Sequence, residues 1–203
     1  YNTAVGYNSG LAVTTGIDNT LIGGLAGDAL TDADHNTVVG RAALSTDTLG
    51  SKSTALGTET LNSQNFTSAT DTYNTAVGYR AGLSVTTGIS NTLIGGNAGD
   101  ALTDADYNTS IGFESLSSDT LGSRSVALGY FALRTQNFTS ATDVYNTALG
   151  FAAGEAITTG ANNTFVGGLA GDATDDGAGN TAIGYAALSA NCGDGNVAVG
   201  SSA

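Results

Sequence analysis

Tyr1-Asn2-Thr3-Ala4-Val5-Gly6-Tyr7 opens the chain, and its core phrase returns as Asn19-Thr20-Leu21-Ile22-Gly23 and again as Asn36-Thr37-Val38-Val39-Gly40. A fourth version, Ser53-Thr54-Ala55-Leu56-Gly57, closes the first set. The closing glycines of the second set are Gly78, Gly95, Gly112 and Gly129, and those of the third are Gly150, Gly167, Gly184 and Gly200. Three steps of 17 residues are followed by one of 21, twice over, and the last three steps are 17, 17 and 16. The chain therefore has two periods: a rung of about 17 residues and a block of 72, with blocks 1–72, 73–144 and the shorter 145–203. Self-similarity at so short a period is the signature of a solenoid, and no domain boundary falls inside residues 1–203.

A unit of this length is too short for a helix pair, and its glycines and β-branched residues oppose helix. It predicts two short strands and two tight turns, one coil of an all-β parallel β-solenoid of about twelve rungs. The residue before Gly is aliphatic in all twelve motifs, from Val5 and Ile22 to Ile183 and Val199. Stacked at the strand spacing of about 4.8 Å, that column is expected to form a continuous apolar seam in a rod of roughly 55 Å. The residue two before Gly is usually Ala, with Leu21, Leu93 and Phe165 larger. It faces the other way, so it is expected to press on the opposite wall of the coil or on a neighbouring chain.

Two positions are expected to form structural ladders. Gly6, Gly23, Gly40, Gly78, Gly95, Gly112, Gly150 and Gly167 stand where the strand turns a corner and φ must become positive. Asn2, Asn19, Asn36, Asn74, Asn91, Asn108, Asn146 and Asn163 open the motif, where Asn can bond backbone and stacked amides can form a ladder. The step of 21 places an insert after every fourth rung, at residues 62–71 and 134–143, expected to emerge as regular collars carrying Phe66 and Phe138.

Composition agrees with a thin-walled rod. Pro, Met and Trp are missing, Gly numbers 30, and net charge is −13 from 18 acidic and 5 basic residues. No basic stripe is present to neutralise phosphates, which excludes nucleic acid as a direct partner and disfavours anionic membranes. Acidity of this kind keeps a long rigid object soluble. No apolar run reaches the roughly 18 residues of a membrane span. Cys192 is the only cysteine, so there is no disulfide framework, and it reads as a small packed or partly exposed residue. The chain starts inside a motif at Tyr1, without Met, and is expected to be a segment of a longer fibre protein.

The phrase Asn-Thr-Ala-Val-Gly-Tyr and its variants at Tyr1–Tyr7, Tyr73–Tyr79, Tyr145–Phe151 and Asn180–Tyr185 resemble the head repeats of YadA-like trimeric autotransporter adhesins. They are similar, still more closely, to the Asn-Thr-Ala-Ile-Gly-Tyr repeats of phage tail fibres and bacterial surface fibres. The resemblance runs through all twelve rungs. It implies a left-handed parallel β-roll, usually three chains side by side, in an extracellular adhesin or tail fibre.

Candidates for chemistry are few. His35, the only histidine, is replaced by Tyr107 in the next block, which marks a turn rather than a general base. Serines and threonines abound, but no recurring histidine activates one. Scattered Glu59, Glu114 and Glu155 form no repeated pair of the kind a glycan-cleaving groove needs. No catalytic residue is assigned and the chain is expected to be non-enzymatic.

The acidic turns carrying Asp28, Asp32 and Asp34, repeated as Asp100, Asp104 and Asp106, are candidate oxygen ligands for calcium; the plainer reading is Asp bonding backbone in a solvated turn. No other cofactor is implied. Sequons at Asn65, Asn137 and Asn162 matter only where the source glycosylates them. The Thr column (Thr3, Thr20, Thr37, Thr54) invites comparison with ice-binding solenoids, but it shares its strand face with the aliphatic column and is expected to be partly buried. The sequence thus predicts the structural rod of an extracellular fibre, built from copies of itself as a homotrimer or an end-to-end filament. The alternative is an adhesin whose insert loops, through Phe66 and Phe138, bind a receptor or glycan.

Overall fold

A computed structural model describes all residues 1–203. It has strands but no helix, sixteen strands in all. Twelve of them are three residues long and form one parallel sheet: β1 (Thr3–Val5), β2 (Thr20–Ile22), β3 (Thr37–Val39), β5 (Thr54–Leu56), β7 (Thr75–Val77), β8 (Thr92–Ile94), β9 (Thr109–Ile111), β11 (Val126–Leu128), β13 (Thr147–Leu149), β14 (Thr164–Val166), β15 (Thr181–Ile183) and β16 (Val197–Val199). Register follows the repeat: Thr3 faces Thr20 and Val5 faces Ile22, and so on along the rod. The step of 21 leaves no slip, since Thr54 still meets Thr75 and Leu56 meets Val77. The protein is a twelve-turn parallel β-solenoid.

The second wall differs from expectation. It reaches strand geometry only beside the inserts, where β4 (Gly50–Ser51) pairs β6 (Thr70–Asp71) and β10 (Gly122–Ser123) pairs β12 (Thr142–Asp143). Elsewhere, left-handed residues such as Gly10 (φ 60°), Gly27 (φ 54°) and Leu44 (φ 47°) break the extension needed for a strand. That wall is nevertheless laddered. Gly10 N–H donates to Ala26 C=O at 3.0 Å and Ala12 N–H to Asp28 C=O at 3.0 Å, rung to rung. Of 117 backbone hydrogen bonds only 24 lie inside strands, so most of the rod's main-chain pairing is made by turns and this irregular wall.

The phase of the strands is the reverse of the expected one. The interior is lined by the residue two before Gly: Leu21, Val38, Ala55, Ala76, Leu93, Ser110, Ala127, Ala148, Phe165 and Ala182 are all buried. The aliphatic residue before Gly points outward, so the seam expected of it is not the core.

Core volume is balanced across the coil instead. Where the strand carries a large side chain, the residue six places on is Gly: Leu21 with Gly27, Leu93 with Gly99, Phe165 with Gly171. A Cβ at Gly27 would lie 2.9 Å from Leu21 Cδ2, and one at Gly171 2.4 Å from Phe165. Where the strand carries Ala, the same place often holds a buried Leu, as in Ala55 with Leu61 and Ala127 with Leu133. Interiors packed to crystal density leave no room for a side chain opposite the bulkiest strand residues, and the Leu rungs place their second large residue further on, Leu30 with Leu21 and Leu102 with Leu93.

Both ladders form. Each corner glycine has φ between 131° and 146°, and a Cβ there would meet the carbonyl of the next corner glycine at 2.1–2.5 Å along Gly6, Gly23, Gly40, Gly78, Gly95, Gly112, Gly150 and Gly167. Glycine is required twice over, by φ and by space. The Asn ladder is a side-chain-to-backbone one rather than a stack of amides. Asn19 Oδ1 accepts the Asn36 N–H at 2.9 Å, while Asn19 Nδ2 donates to Ala33 C=O at 2.7 Å. The same pair of bonds recurs at Asn91, to Asn108 N–H and Ala105 C=O, and at Asn163, to Asn180 N–H and Gly177 C=O.

Candidate functional surface

The outward face of the twelve-stranded sheet is the most distinctive surface of the rod. One column is Thr in ten rungs and Val in two (Val126, Val197); the next is Val, Ile or Leu in all twelve. Neither column holds a charged residue, in a chain carrying 23 of them. Ile22, Val39, Ile94, Leu149 and Ile183 are exposed, Leu149 by 42%, and Leu56, Val77, Ile111, Leu128 and Val166 are half-buried. No Thr of this column uses its hydroxyl in a hydrogen bond within the chain; in contrast, Thr15, Thr31, Thr48 and Thr60 do so elsewhere. The Thr column stands beside its aliphatic neighbour on the outward face and, as expected, is partly buried in eight rungs, with Thr3 and Thr37 exposed.

A third column lies one residue past the corner glycine. It holds Tyr7, Tyr79, Phe113, Tyr130, Phe151 and Tyr185, all exposed, with Gly24, Gly96 and Gly168 between them and Arg41, Thr58 and Ser201 in the other three rungs. The five basic side chains are all committed to ion pairs. Arg41 and Arg80 both meet Glu59; Lys52 meets Asp71, Arg124 meets Asp143 at 2.8 Å, and Arg134 meets Glu155 at 3.2 Å. Arg80 holds the Glu59 carboxyl below the usual range, and Lys52 does the same for Asp71.

The inserts do not stand out as collars. Phe66 and Phe138 are only 7% and 8% exposed, and the exposed residues of the inserts are Thr67, Ser68, Ala69 and Asp71 in one and Asn137, Thr139, Ser140, Ala141 and Asp143 in the other. What fixes each insert is a buried polar network that the repeat pattern alone did not reveal. Ser53 replaces Asn at the fourth motif and is too short to span two rungs. Gln64 fills the gap: its Nε2 donates to Ser53 Oγ at 3.0 Å and Asp47 Oδ2 at 2.6 Å, and its Oε1 accepts from Asn74 Nδ2 at 2.9 Å. Asp47, fully buried, also accepts the N–H groups of Gly50 and Phe66. Ser125, Gln136, Asp119, Asn146 and Phe138 repeat this arrangement. The signal in the sequence was the recurrence of Gln 11 residues after the deviant Ser.

The acidic candidates are dispersed over different parts of the coil, and no three acidic, His or Cys side chains come together. Asp32 Oδ1 accepts from Thr15 and Asp34 Oδ1 from the Ile17 N–H; Asp104 and Asp106 do the same for Thr87 and Ile89. Asp28, Asp100 and Asp172 each keep one buried carboxylate oxygen without a partner. Burial pushes all three carboxyls up, Asp100 to about 6, where Glu114 adds repulsion. His35 and Tyr107 occupy one turn position, both at φ 59° and both exposed. Cys192 is half-buried, its Sγ 3.4 Å from Thr174 Oγ1.

These features define a class, the parallel β-solenoid repeat protein with one uncharged outward sheet face. Compared with known proteins, the chain is matched by no family model, no curated protein and no solved structure.

Proposed function

We propose that this chain is the structural rod of an extracellular fibre and that it performs no catalysis. The single observation that carries this is the uncharged Thr and aliphatic face, which runs in register over all twelve strands. Length is set by repetition, stiffness by rung-to-rung hydrogen bonds, and solubility by acids placed away from that face.

The face is the surface on which copies of the chain pack side by side. A strip about 55 Å long and roughly 12 Å wide offers on the order of 650 Å² per chain, and the bordering aromatic column brings it near the ~800 Å² per partner of a stable interface. Packing there covers exposed Val, Ile and Leu while keeping the acids of neighbouring chains apart. Three copies is the number the fibre resemblance favours, arranged about a closed axis. Calcium at the acidic turns belongs to this proposal only as an added stabiliser.

Deleting residues 73–144 tests the rod. The cut joins Thr72 to Tyr145, the same junction that Thr72 makes with Tyr73. Small-angle scattering should show an intact particle about 19 Å shorter, four rungs of strand spacing. A deletion that unfolds the remainder, or leaves length unchanged, contradicts it. The second reading, attachment through the inserts, rests on the exposure of residues 67–69 and 139–141. Replacing those six residues by Gly should abolish surface attachment if it holds and leave attachment intact for a passive shaft.

A further inference from the structure

The proposed packing face has a weakness that follows from its own regularity. Its columns repeat every rung, so sliding one copy by a single strand spacing of about 4.8 Å puts Thr back on Thr and aliphatic back on aliphatic. Such a shift gives up contact only at the ends. Uniform strands specify register weakly unless something breaks the repeat.

One place on the surface breaks it. In the first block, Arg41, Glu59 and Arg80 form an ion-pair ladder, with Thr58 beside Glu59. The equivalent sites 72 residues on are Phe113, Phe131 and Ala152, with Tyr130 in place of Thr58. Tyr79 becomes Phe151. There the rings form a continuous stack. Phe113 and Tyr130 lie 5.5 Å apart at 19°, Tyr130 and Phe151 5.5 Å apart at 6°, and Phe131 sits 3.9 Å from Tyr130. Phe113 and Phe151 are 43% and 57% exposed, alongside the aliphatic column. Gly96 and Gly168 bracket the stack, so a shift of one rung carries a ring onto a residue with no side chain to meet it.

Resting on the reading of the sheet face as a self-packing surface, we propose that the aromatic stack Phe113, Tyr130, Phe131 and Phe151 is the register key of the assembly. Its partner is the same stack on a second, parallel copy of this chain. Only parallel, in-register copies bring every ring of the stack against a ring. An antiparallel copy would set the aromatic rungs against the rungs of Thr58, Tyr79 and Gly96.

The test uses the repeat as its own control. Phe113→Arg, Tyr130→Thr and Phe131→Glu together install the residues that the first block already carries at the same sites, so the coil can accept them. In a Cys192→Ser background, one pool carries Thr20→Cys and another Thr37→Cys, one rung apart on the outward column. The pools are co-expressed and oxidised, and disulfide-linked chains are identified by mass. With the key intact, pairing should be like with like, Cys at 20 to Cys at 20 and Cys at 37 to Cys at 37. With the key replaced, that selectivity should be lost and mixed 20-to-37 pairs should rise to a statistical share. Equal selectivity with and without the aromatics overturns the key but leaves the packing face standing. Unlinked chains of monomer mass overturn the face, and the key with it; unlinked chains of oligomer mass show that copies do not run parallel, which overturns the key alone.

Discussion

Asn91 ties two rungs of the rod through one side chain: its Oδ1 accepts the Asn108 N–H at 2.9 Å while its Nδ2 donates to the Ala105 C=O at 2.7 Å, all of it buried. Replacing it with Ala strands one buried donor and one buried acceptor. At about 1–3 kcal/mol for each buried group left unpaired, Asn91→Ala should lower unfolding stability by roughly 2–6 kcal/mol in a denaturant titration. A loss no greater than that of an exposed Asn, such as Asn191→Ala, would mean the amide is not holding the coil.

The corner glycines should tolerate nothing else. At Gly95, φ is 135° and a Cβ would stand 2.4 Å from the Gly112 carbonyl oxygen, an atom fixed in the next rung. Backbone strain of that kind alone is worth about 1–3 kcal/mol, before the clash is counted. Gly95→Ala should therefore unfold at markedly lower temperature. Gly193→Ala, where a Cβ meets nothing within 4 Å, should melt with the parent chain.

Core volume gives a paired prediction. Ala127→Leu should destabilise by about 1–3 kcal/mol through overpacking against Leu133. The double change Ala127→Leu with Leu133→Gly copies the Leu93 and Gly99 rung and should recover much of the loss. A double variant as unstable as the sum of its parts would show that the complementarity is accidental.

Stability should rise on mild acidification through Asp100. Its carboxyl is pushed up to about 6 by burial, against an unfolded value of 3.8, so the folded chain takes up the proton first. The penalty of the charged form is present above about pH 6 and is relieved as pH falls towards 3.8. Melting temperature measured at pH 7 and pH 5 should increase for the parent and increase less for Asp100→Asn. An identical pH response in the two would remove this carboxyl from the account. Glu59 and Asp71 act in the opposite sense: their lowered values place their loss of stabilisation below the ordinary carboxylate range, outside that window.

Much of this fold can be read from residues alone because the repeat states it many times. The 17-residue step, the corner Gly and the opening Asn each have one physical reason, and each stands in the coil where that reason puts it. Strand phase could not be read in the same way. Alternation says that Ala4 and Val5 face opposite sides, but not which side is inside. The consistently bulky residue was the natural choice for the core, yet the inward position is the one two before Gly, small in most rungs and Leu or Phe in three. The insert network was hidden for a different reason: Gln64 takes over from an Asn that Ser53 lacks, and that relation appears only when two rungs are seen together. Phe66 and Phe138 look like surface anchors in a polar insert until Asp47 and Asp119 are seen binding their N–H groups and turning the rings inward.

Mass in solution tests whether the sheet face packs on copies of itself. Light scattering on the chain, and on the variant Ile94→Lys with Leu128→Lys, should give a whole multiple of 19.9 kDa for the first, three by the fibre resemblance, and a single chain for the second. EDTA should leave both masses unchanged if the acidic turns act only through the hydrogen bonds seen here. A parent chain that stays at 19.9 kDa at every concentration, or a lysine variant that assembles as well as the parent, would contradict the account.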